Sequence, residues 1–564
     1  MSNIKDIYKK LKQIPYIHHI IAIVILFIVS ILCFGIFDSP RLFSDDWCQF
    51  ISRRIFNVMP RINWSDHRPF SLILFSIPIR VFDLNLILFY WMNTVTLFIS
   101  SVLVYIILLR IIPQLSWVAF PIALIYLIFP VDSSRTWLTM FPAIHTTMLC
   151  LLFVLLVSIE YLNKGGWWRY IFILLGISLP LLGYEGQAGL AMAAPCLLAI
   201  FNKEASLWRR IQLLAVLLIG ILFIIWRFVI QPAHFGVQDL YIDRLEWTPA
   251  LIIARFMMGI MVFSTGWIDT ISPYLAISSQ RYLLGLVSLM VLLGISSWWI
   301  CKYFFKQPIQ SLKWEQKKNK IKYLAILLVN GMIIWAAGYI PVIILSEPRL
   351  EIISSRVNLY AIPGASIVLV SLLAILAVLI STSLPQTRMI TFALLVPFLL
   401  SGLFAQYCVQ LESQRNWNEQ KYVWNELFTL LPGIKDHTLV TIVIPRRKNI
   451  KPLYRPPLSY QWEVNCGLMS LYNNSTVKAA VINRGSFLPN PQLLESGIRL
   501  IYADKATPYS ETIFVYIDPH KEGSWVIKDL KEQLNLSFDV NGYSPQQNIT
   551  LLSEKSQIYR WLVK

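Results

Sequence analysis

The stretch "YIHHIIAIVILFIVSILCFGIFDSPRLFSDDW", residues 16–47, decides the class of this protein. Its apolar part can cross the hydrocarbon core of a bilayer, which takes about 20 residues. It exceeds the about 7–15 residues of the hydrophobic region of a signal peptide, and no small-residue cleavage site follows it. We therefore expect it to remain as the first transmembrane helix. Two adjacent carboxylates, Asp45 and Asp46, come directly after it, where charge near a membrane is costly.

The composition of the whole chain is that of a membrane protein. Of the 564 residues, 56% are hydrophobic and 14% are charged, whereas soluble domains carry about 25% charged residues. The seven cysteines form no CxxC pair and show no metal-ligand spacing, which argues against a zinc site or a redox motif. The net charge of +18 would suggest nucleic acid in a soluble protein. In a membrane protein the positions of the charges matter more, and we expect no nucleic-acid partner.

Apolar runs of roughly spanning length recur along the chain. They lie near 15–37, 84–109, 112–130, 143–162, 170–184, 188–201, 211–230, 281–304, 322–345, 357–380 and 389–410. The polar "GYEGQ" in the middle of 170–201 favours two short helices that meet at one surface. The run near 250–272 is interrupted by Arg255 and Asp269. We place it along the interface or as a re-entrant piece, because a twelfth span would break the charge pattern.

The lysines indicate the orientation. If residues 1–14 lie in the cytoplasm, every lysine between the first span and the tail falls in a cytoplasmic turn. These are Lys164, Lys203 and the cluster from Lys302 to Lys322. Such asymmetry is what the positive-inside rule predicts. Eleven spans then place the long loop 38–83 and the tail 411–564 outside. We expect a multi-pass protein of the inner (plasma) membrane with a cytoplasmic N-terminus.

The tail 411–564 differs from the rest of the chain in its pattern. Strand-like runs "TLVTIVIP", "KAAVINRG", "TIFVYIDP" and "IYRWLVK" alternate with polar segments and with a predicted helix, "SWVIKDLKEQL". No nucleotide-binding glycine pattern occurs. The predicted fold is a polytopic α-helical membrane protein of about 11 transmembrane helices with a C-terminal mixed α/β extracytoplasmic domain.

Two features of the first outer loop concern its structure. Trp47, Phe50, Ile51, Arg53 and Arg54 are spaced as in an amphipathic helix that lies on the membrane surface. Among the cysteines, Cys48 and Cys466 are the two expected outside. The sequence leaves open whether they form a bridge between the first loop and the tail.

Charged residues gather near the outer ends of the predicted spans. They include Asp45, Asp46, Asp66, His67, Arg68, Asp132, Arg135, Glu185, Asp239, Asp243, Arg244, Glu347, Arg349, Glu351 and Arg356. A cavity with this lining suits sugar transfer from a lipid-phosphate donor, in which a carboxylate takes the acceptor proton and arginines hold the phosphate. The alternatives are a transporter or flippase of lipid-linked envelope precursors, and a non-catalytic binding protein. Transport fits less well, because coupling residues belong near the bilayer midplane and no internal repeat is visible.

The order of these features resembles the GT-C superfamily of integral membrane glycosyltransferases. "FSDDW" followed by "DHRPFSLILFSIPIRVFDLNLILFYWMNTV" is similar to the first-loop and second-span region of bacterial members, and "SSRVNLYAIPGASIVLVSLL" resembles the arginine-containing start of a late span. The resemblance covers roughly residues 15–410 as architecture. It implies a polyprenyl-phosphate-linked sugar donor, an inverting reaction at the outer face and a catalytic module embedded in membrane lipids. The expected acceptor is an envelope glycan, lipid or protein.

The resemblance assigns the general base to the acidic pair. Neighbouring helical residues point about 100° apart, so one of the two carboxylates faces the substrate. We favour Asp45 as the base, with Asp46 in a positioning role. The alternative is that both cap the helix that begins near Trp47. A divalent cation assists the carboxylate in some members, and the sequence leaves that cofactor open.

Two further carboxylates are candidates for substrate binding. Asp132 resembles a second-loop acidic residue of the family, but it stands alone and not in a DxD pattern, which leaves metal binding in doubt. A salt bridge with Arg135 is its alternative role. Glu185 sits among glycines in an apolar stretch, where an acidic residue is expected to line a cavity.

Arginines are the candidates for holding the donor phosphate. Arg356 is the first choice because a guanidinium offers a planar bidentate fork, and Arg68 and Arg349 are second choices. Each has the alternative of reaching up to lipid headgroups. His67 and His145 rank below them as acid or acceptor contacts, since a lone histidine is more often structural.

Overall fold

The computed structural model describes most of the chain. The described residues are 17–35, 41–43, 46–57, 70–83, 85–132, 134–202, 204–235, 248–275, 287, 314–345, 347–348, 350, 354–445, 458, 461–483, 491–500, 503, 505–519 and 523–550.

Long apolar helices form the bulk of the described residues. In chain order the helices are α1 (Ile17–Phe34), α2 (Ser71–Phe82), α3 (Leu86–Ile111), α4 (Ser116–Ile128), α5 (Thr146–Lys164), α6 (Trp167–Gly183), α7 (Ala188–Phe201), α8 (Leu207–Ile225), α9 (Pro249–Asp269), α10 (Trp314–Leu345), α11 (Ile362–Ile380), α12 (Leu384–Leu430), α13 (Gln461–Tyr472) and α14 (Leu530–Leu534). Within the described ranges, eight are long and apolar enough to cross a membrane, and α4, α6 and α7 are shorter apolar helices. The protein is therefore a multi-pass α-helical membrane protein, as predicted.

Two details of the span pattern follow from local sequence. The helical turn Glu185–Gln187 separates α6 from α7, so the prediction of two short helices in 170–201 is confirmed. The helix α5 begins at Thr146, after a separate helical turn, Phe141–His145, and His145 therefore precedes the span in which it was predicted. The predicted span at 281–304 lies outside the described residues, apart from Val287.

The helix α9 has the length and composition of a span, although the sequence placed this run along the interface. It contacts α10, α12 and the loop that follows α4. Arg255 donates from Nη1 to the carbonyl oxygen of Ile343, 3.0 Å away near the end of α10. A Cβ at Gly266 would stand 2.8 Å from the side chain of Val131. The guanidinium of Arg255 thus donates a hydrogen bond within the protein. The placement of α9 along the interface or as a re-entrant piece stays a prediction.

The helix α12 is the longest element, with 47 residues. It begins after Ser383, whose side chain accepts from the Gln386 amide, and ends at Leu430, shortly before Pro432. Its first half is apolar. Its second half carries buried polar side chains, among them Asn416 and Gln420. The change of composition at 411 therefore falls inside a continuous helix.

The tail beyond α12 forms a four-stranded mixed sheet and two two-stranded sheets among its described residues. Its strands are β1 (Gly433–Ile434), β2 (Leu439–Ile444), β3 (Lys478–Asn483), β4 (Gln492–Leu494), β5 (Gly497–Arg499), β6 (Thr512–Ile517), β7 (Ser524–Val526) and β8 (Ile549–Thr550). The central sheet has the order β3-β2-β6-β7, with β2 parallel to both β3 and β6. The helix α13 lies between β2 and β3 in the chain, as parallel pairing requires.

Three of the predicted strands are confirmed as β2, β3 and β6, and the fourth, "IYRWLVK", lies outside the described residues. The predicted helix "SWVIKDLKEQL" is wrong in its first part. Ser524–Val526 pairs with β6 as an antiparallel edge strand, where Trp525 stacks on Tyr516 at 4.2 Å between ring centroids. Only α14 is helical, with Asp529 accepting from the Glu532 amide at 3.0 Å.

The helix predicted in the first outer loop is present but packs against protein. It consists of a wide turn, Trp47–Ser52, continued by Arg53–Ile55. The Trp47 ring is fully buried between Trp424 on α12, 5.6 Å away between centroids, and α13. A disulfide joins Cys48 to Cys466 on α13. The apolar face expected on the membrane surface is thus covered by the C-terminal domain.

Replacing both Cys48 and Cys466 by serine should lower the thermal midpoint of unfolding of the detergent-purified protein. A native cross-link typically stabilises by about 2–4 kcal/mol, because it restricts the unfolded chain. Cys196→Ser is the matched control, since Cys196 is a half-buried free cysteine. Adding reductant should lower the midpoint of the wild type and leave that of the double variant unchanged. Without reductant, a midpoint of the double variant equal to that of the wild type would contradict the cross-link.

Candidate functional site

The carboxylate of Asp46 is fully buried and is held by backbone amides. Its Oδ2 accepts from the Phe43 amide and its Oδ1 from the Thr139 amide, each at 2.9 Å. Its side chain makes no capping hydrogen bond to the helix that starts at Trp47. Capping is therefore wrong for Asp46. The residue instead joins the loop that follows α1 to the loop between α4 and α5.

That second loop, residues 129–145, is buried along its described length; we call it the central loop. A buried irregular segment must find partners for its backbone groups. Side chains from five separate parts of the chain supply them. Besides Asp46, they are Asn93 to the Arg135 carbonyl (2.7 Å), Gln187 to Ile144 (3.1 Å), Asn358 to Val131 (2.9 Å) and Gln406 to Phe129 (3.2 Å).

The sequence analysis did not identify these four amide side chains as important. Asn93 lies inside α3 and Gln406 inside α12, both in apolar runs. A polar amide within an apolar span is itself a signal, because leaving it without a partner in hydrocarbon is costly. These side chains carry no charge, so the pattern of charged residues in the sequence does not reveal them.

The central loop carries a buried ion pair. Arg135 Nε lies 3.5 Å from Asp132 Oδ2, and both side chains are almost fully buried. Asp132 Oδ1 accepts from the Ser134 amide at 2.9 Å and from its hydroxyl at 2.5 Å. Burial raises the pKa of the Asp132 carboxyl above its ordinary value, and the Arg135 charge opposes this in part. The salt-bridge alternative for Asp132 is thus present in the structure.

Arg135 also closes the end of α4. Its Nη1 donates to the carbonyl oxygens of Tyr126 (3.2 Å) and Leu127, which satisfies groups that a helix C-terminus leaves free. Its guanidinium stands 5.9 Å from the centroid of the Tyr126 ring. The arginine therefore fixes where the central loop leaves the helix.

Several polar atoms in or beside the ion pair are buried and lack a hydrogen bond within the described part of the chain. They are Asp132 Oδ2, Arg135 Nε and Nη2, Thr136 Oγ1, Thr139 Oγ1 and His145 Nε2. Such atoms are rare in native interiors and mark places where a polar partner is needed. The central loop concentrates six of them.

His145 is the buried histidine of this cluster. Its Nδ1 lies 2.5 Å from Asn93 Oδ1, and the same asparagine donates to the Arg135 carbonyl. Burial, and secondly the Arg135 charge, lowers the pKa of His145 from 6.5 to about 3. The imidazole is therefore neutral at neutral pH.

The parts of the chain that carry Glu185 and Arg356 are adjacent. Arg356 is half-buried in the helical turn Ser354–Tyr360. The ring of Tyr360 lies 5.9 Å from that of Tyr184 between centroids. A Cβ on Gly186 would come within 2.6 Å of the same ring, so glycine permits this close approach. Through Asn358, the turn that carries Arg356 also contacts the central loop.

The structure therefore brings together the backbone segments of four predicted site residues. Asp46, Asp132, Glu185 and Arg356 lie on elements that border the central loop or one another. The remaining predicted site residues, Asp45, His67, Arg68 and Arg349, lie outside the described residues.

The described donor set does not fit a divalent cation. No group of three or more carboxylate, histidine or cysteine side chains occurs in the parts of the chain that were placed. Asp46 has one backbone amide on each oxygen, and Asp132 pairs with Arg135.

Known proteins match this chain in their structure and not in their sequence. The fold is similar to two crystal structures of ArnT from Cupriavidus metallidurans. In the apo state the TM-score is 0.34 at 11% identity, covering 83% of this chain and 86% of that one. For the structure bound to undecaprenyl phosphate, the TM-score is 0.33 at 10% identity, covering 84% of this chain and 87% of that one.

No protein-family model and no curated protein sequence matches the chain.

Replacing Asp46 by asparagine should destabilise the protein by about 1–3 kcal/mol, because one buried backbone amide would then face an N–H donor instead of an oxygen. Asp83→Asn is the control, since Asp83 pairs with Arg54 at the exposed surface. Thermal midpoints of both purified variants check this. A midpoint for Asp46→Asn equal to that of Asp83→Asn would show that the contact with Thr139 contributes little.

His145 should make stability depend on pH. Because its pKa is about 3 in the folded protein and 6.5 in the reference state, the unfolded chain binds a proton that the folded one does not. Stability should therefore fall as pH drops below 6.5, by up to about 1.4 kcal/mol per pH unit. In His145→Gln the loss of thermal midpoint between pH 7 and pH 4.5 should be smaller. An identical loss in both proteins would contradict the buried neutral imidazole.

Proposed function

We propose that this protein is a membrane glycosyltransferase that moves a sugar from a polyprenyl-phosphate-linked donor to an acceptor of the cell envelope. One observation carries the proposal. The first outer loop, through Asp46, and the late arginine-bearing turn, through Asn358, both hydrogen-bond to the central loop. These two contacts support a site at which carboxylates from the start of the chain and a guanidinium group from far downstream meet.

The cross-link supports an outer location for this end. A disulfide between Cys48 and Cys466 requires the first loop and the C-terminal domain to lie on the same side of the membrane. Disulfides persist in oxidising compartments and are rare in the cytosol. The lysine-rich start of α10 then lies on the cytoplasmic side, in agreement with the positive-inside rule. A donor available there must be linked to lipid, since nucleotide sugars are not expected outside the cytoplasm.

We assign the general base to Asp45. Both oxygens of its neighbour Asp46 already accept backbone amides, which suits a residue that positions the loop. The Asp45 carboxylate takes the proton of the acceptor hydroxyl as that oxygen bonds to the anomeric carbon of the donor sugar. The bond from that carbon to the phosphate oxygen breaks on the opposite face. The configuration inverts, and the polyprenyl phosphate leaves with the electron pair.

The departing phosphate gains negative charge, so a cation beside it lowers the barrier. Arg356 is our choice for this contact, because it is half-buried and its fork can bind two phosphate oxygens. Arg135 is less suited, since it is fully buried and already serves the end of α4 and Asp132. Its function is to fix the central loop.

Asp45→Asn should reduce sugar transfer at least about 100-fold, the lower range for loss of a general base, while leaving the thermal midpoint unchanged. Purified protein would be assayed with radiolabelled polyprenyl-phosphate sugars and envelope acceptors. Asp83→Asn is the control for removal of a charge from the same loop region. Full transfer by Asp45→Asn would move the base elsewhere. Absence of transfer by the wild type, together with proton-gradient-driven movement of a lipid-linked precursor in liposomes, would favour a transporter.

A further inference from the structure

A cavity of about 540 Å³ opens between the first outer loop and the C-terminal domain. Its lining residues are Phe56, Ile434, Asp436, Tyr472, Asn473, Asn474 and Ser475. The volume is within the about 300–1,000 Å³ typical of small-molecule sites. None of its described lining residues belongs to the central loop.

The disulfide fixes the two walls of this cavity relative to each other. Cys48 belongs to the helix that ends near Phe56, and Cys466 belongs to α13, which ends at Tyr472. A Cβ at Gly467 would lie 2.6 Å from the Trp424 ring, so α13 also packs tightly on α12. The cavity is thus preorganised, which reduces the entropy lost on binding.

The turn after α13 presents polar groups to the cavity. Asn473 has φ +49°, the left-handed conformation that commonly ends a helix. Asp436 Oδ1 accepts from Asn474 Nδ2 at 2.8 Å and from Thr476 Oγ1 at 3.2 Å. Among the described residues, Asp436 Oδ2 has no such partner. The carboxylate and the turn are therefore held in place with hydrogen-bonding capacity to spare.

This combination of groups suits a carbohydrate. Sugar hydroxyls both donate and accept, and a carboxylate, an amide and a serine hydroxyl together offer acceptors and donors. The half-buried aromatic side chain of Phe56 provides apolar surface for the C–H face of a sugar ring. Among the described lining residues the one charged side chain is that of Asp436, which suits neutral sugar hydroxyls.

We propose that this cavity binds sugar residues of a glycan acceptor, so that the acceptor is held by the junction of the first loop and the C-terminal domain while its reacting hydroxyl reaches the central loop. The assignment as an acceptor site rests on the proposed glycosyl transfer. The proposal that the cavity binds sugar does not depend on that transfer.

Saturation-transfer NMR on the detergent-purified, disulfide-bonded protein tests the binding without any donor. The probes are the methyl glycosides of glucose, galactose and N-acetylglucosamine. We expect transfer to at least one of them. Asp436→Ala should weaken that binding at least about tenfold, as expected for loss of a hydrogen bond to a charged group. Asp539→Ala is the matched control, because Asp539 is an exposed carboxylate of the same domain that pairs with Lys531.

A second variant guards against rearrangement of the turn in Asp436→Ala. Ser475→Trp fills the cavity without removing a described hydrogen bond, and it should abolish sugar binding while the thermal midpoint stays that of the wild type. The catalytic variant Asp45→Asn should bind the sugar as the wild type does. Absence of saturation transfer to all three glycosides, or wild-type binding by both cavity variants, would overturn the proposal and leave that of sugar transfer intact.

Discussion

The architecture depends on satisfying the backbone of one buried loop. Residues 129–145 are irregular and enclosed, and in such a place each unpaired amide or carbonyl costs free energy comparable to a lost hydrogen bond. Five side chains from five segments meet this requirement. Because each one donates to or accepts from a specific backbone atom, the loop fixes the relative positions of helices that are far apart in the sequence.

The same principle extends to the first outer loop and α12. Arg41 donates to the backbone and side chain of Gln410, each at 2.9 Å, and Gln420 donates to the carbonyl of Leu42 at 3.1 Å. Together with Asp46, these contacts tie residues 41–43 and the start of the following helix to α12 and to the central loop.

The sequence predicted well what depends on local pattern. Apolar length and the interruption at "GYEGQ" identified the helices, and runs of β-branched residues identified three strands. It predicted the site less completely, because burial and long-range partners decide each role. Asp46 could be placed beside Asp45 but not against Thr139, 93 residues away. Ser524–Val526 reads as helix until its edge position beside β6 is known. The i, i+3 pair of Asp132 and Arg135 was visible because both partners are local.

The length of α12 has a consequence for how the C-terminal domain is attached. At 1.5 Å per residue, its 47 residues extend about 70 Å, more than twice the about 30 Å of a hydrocarbon core. Strands β6 and β7 pack beside this helix, and Ser524 on β7 donates to Glu426 near its end. The distance between the C-terminal domain and the apolar first half of α12 is therefore set by a count of helical turns, so that inserting or deleting a single residue would also rotate the domain about the helix axis by about 100°.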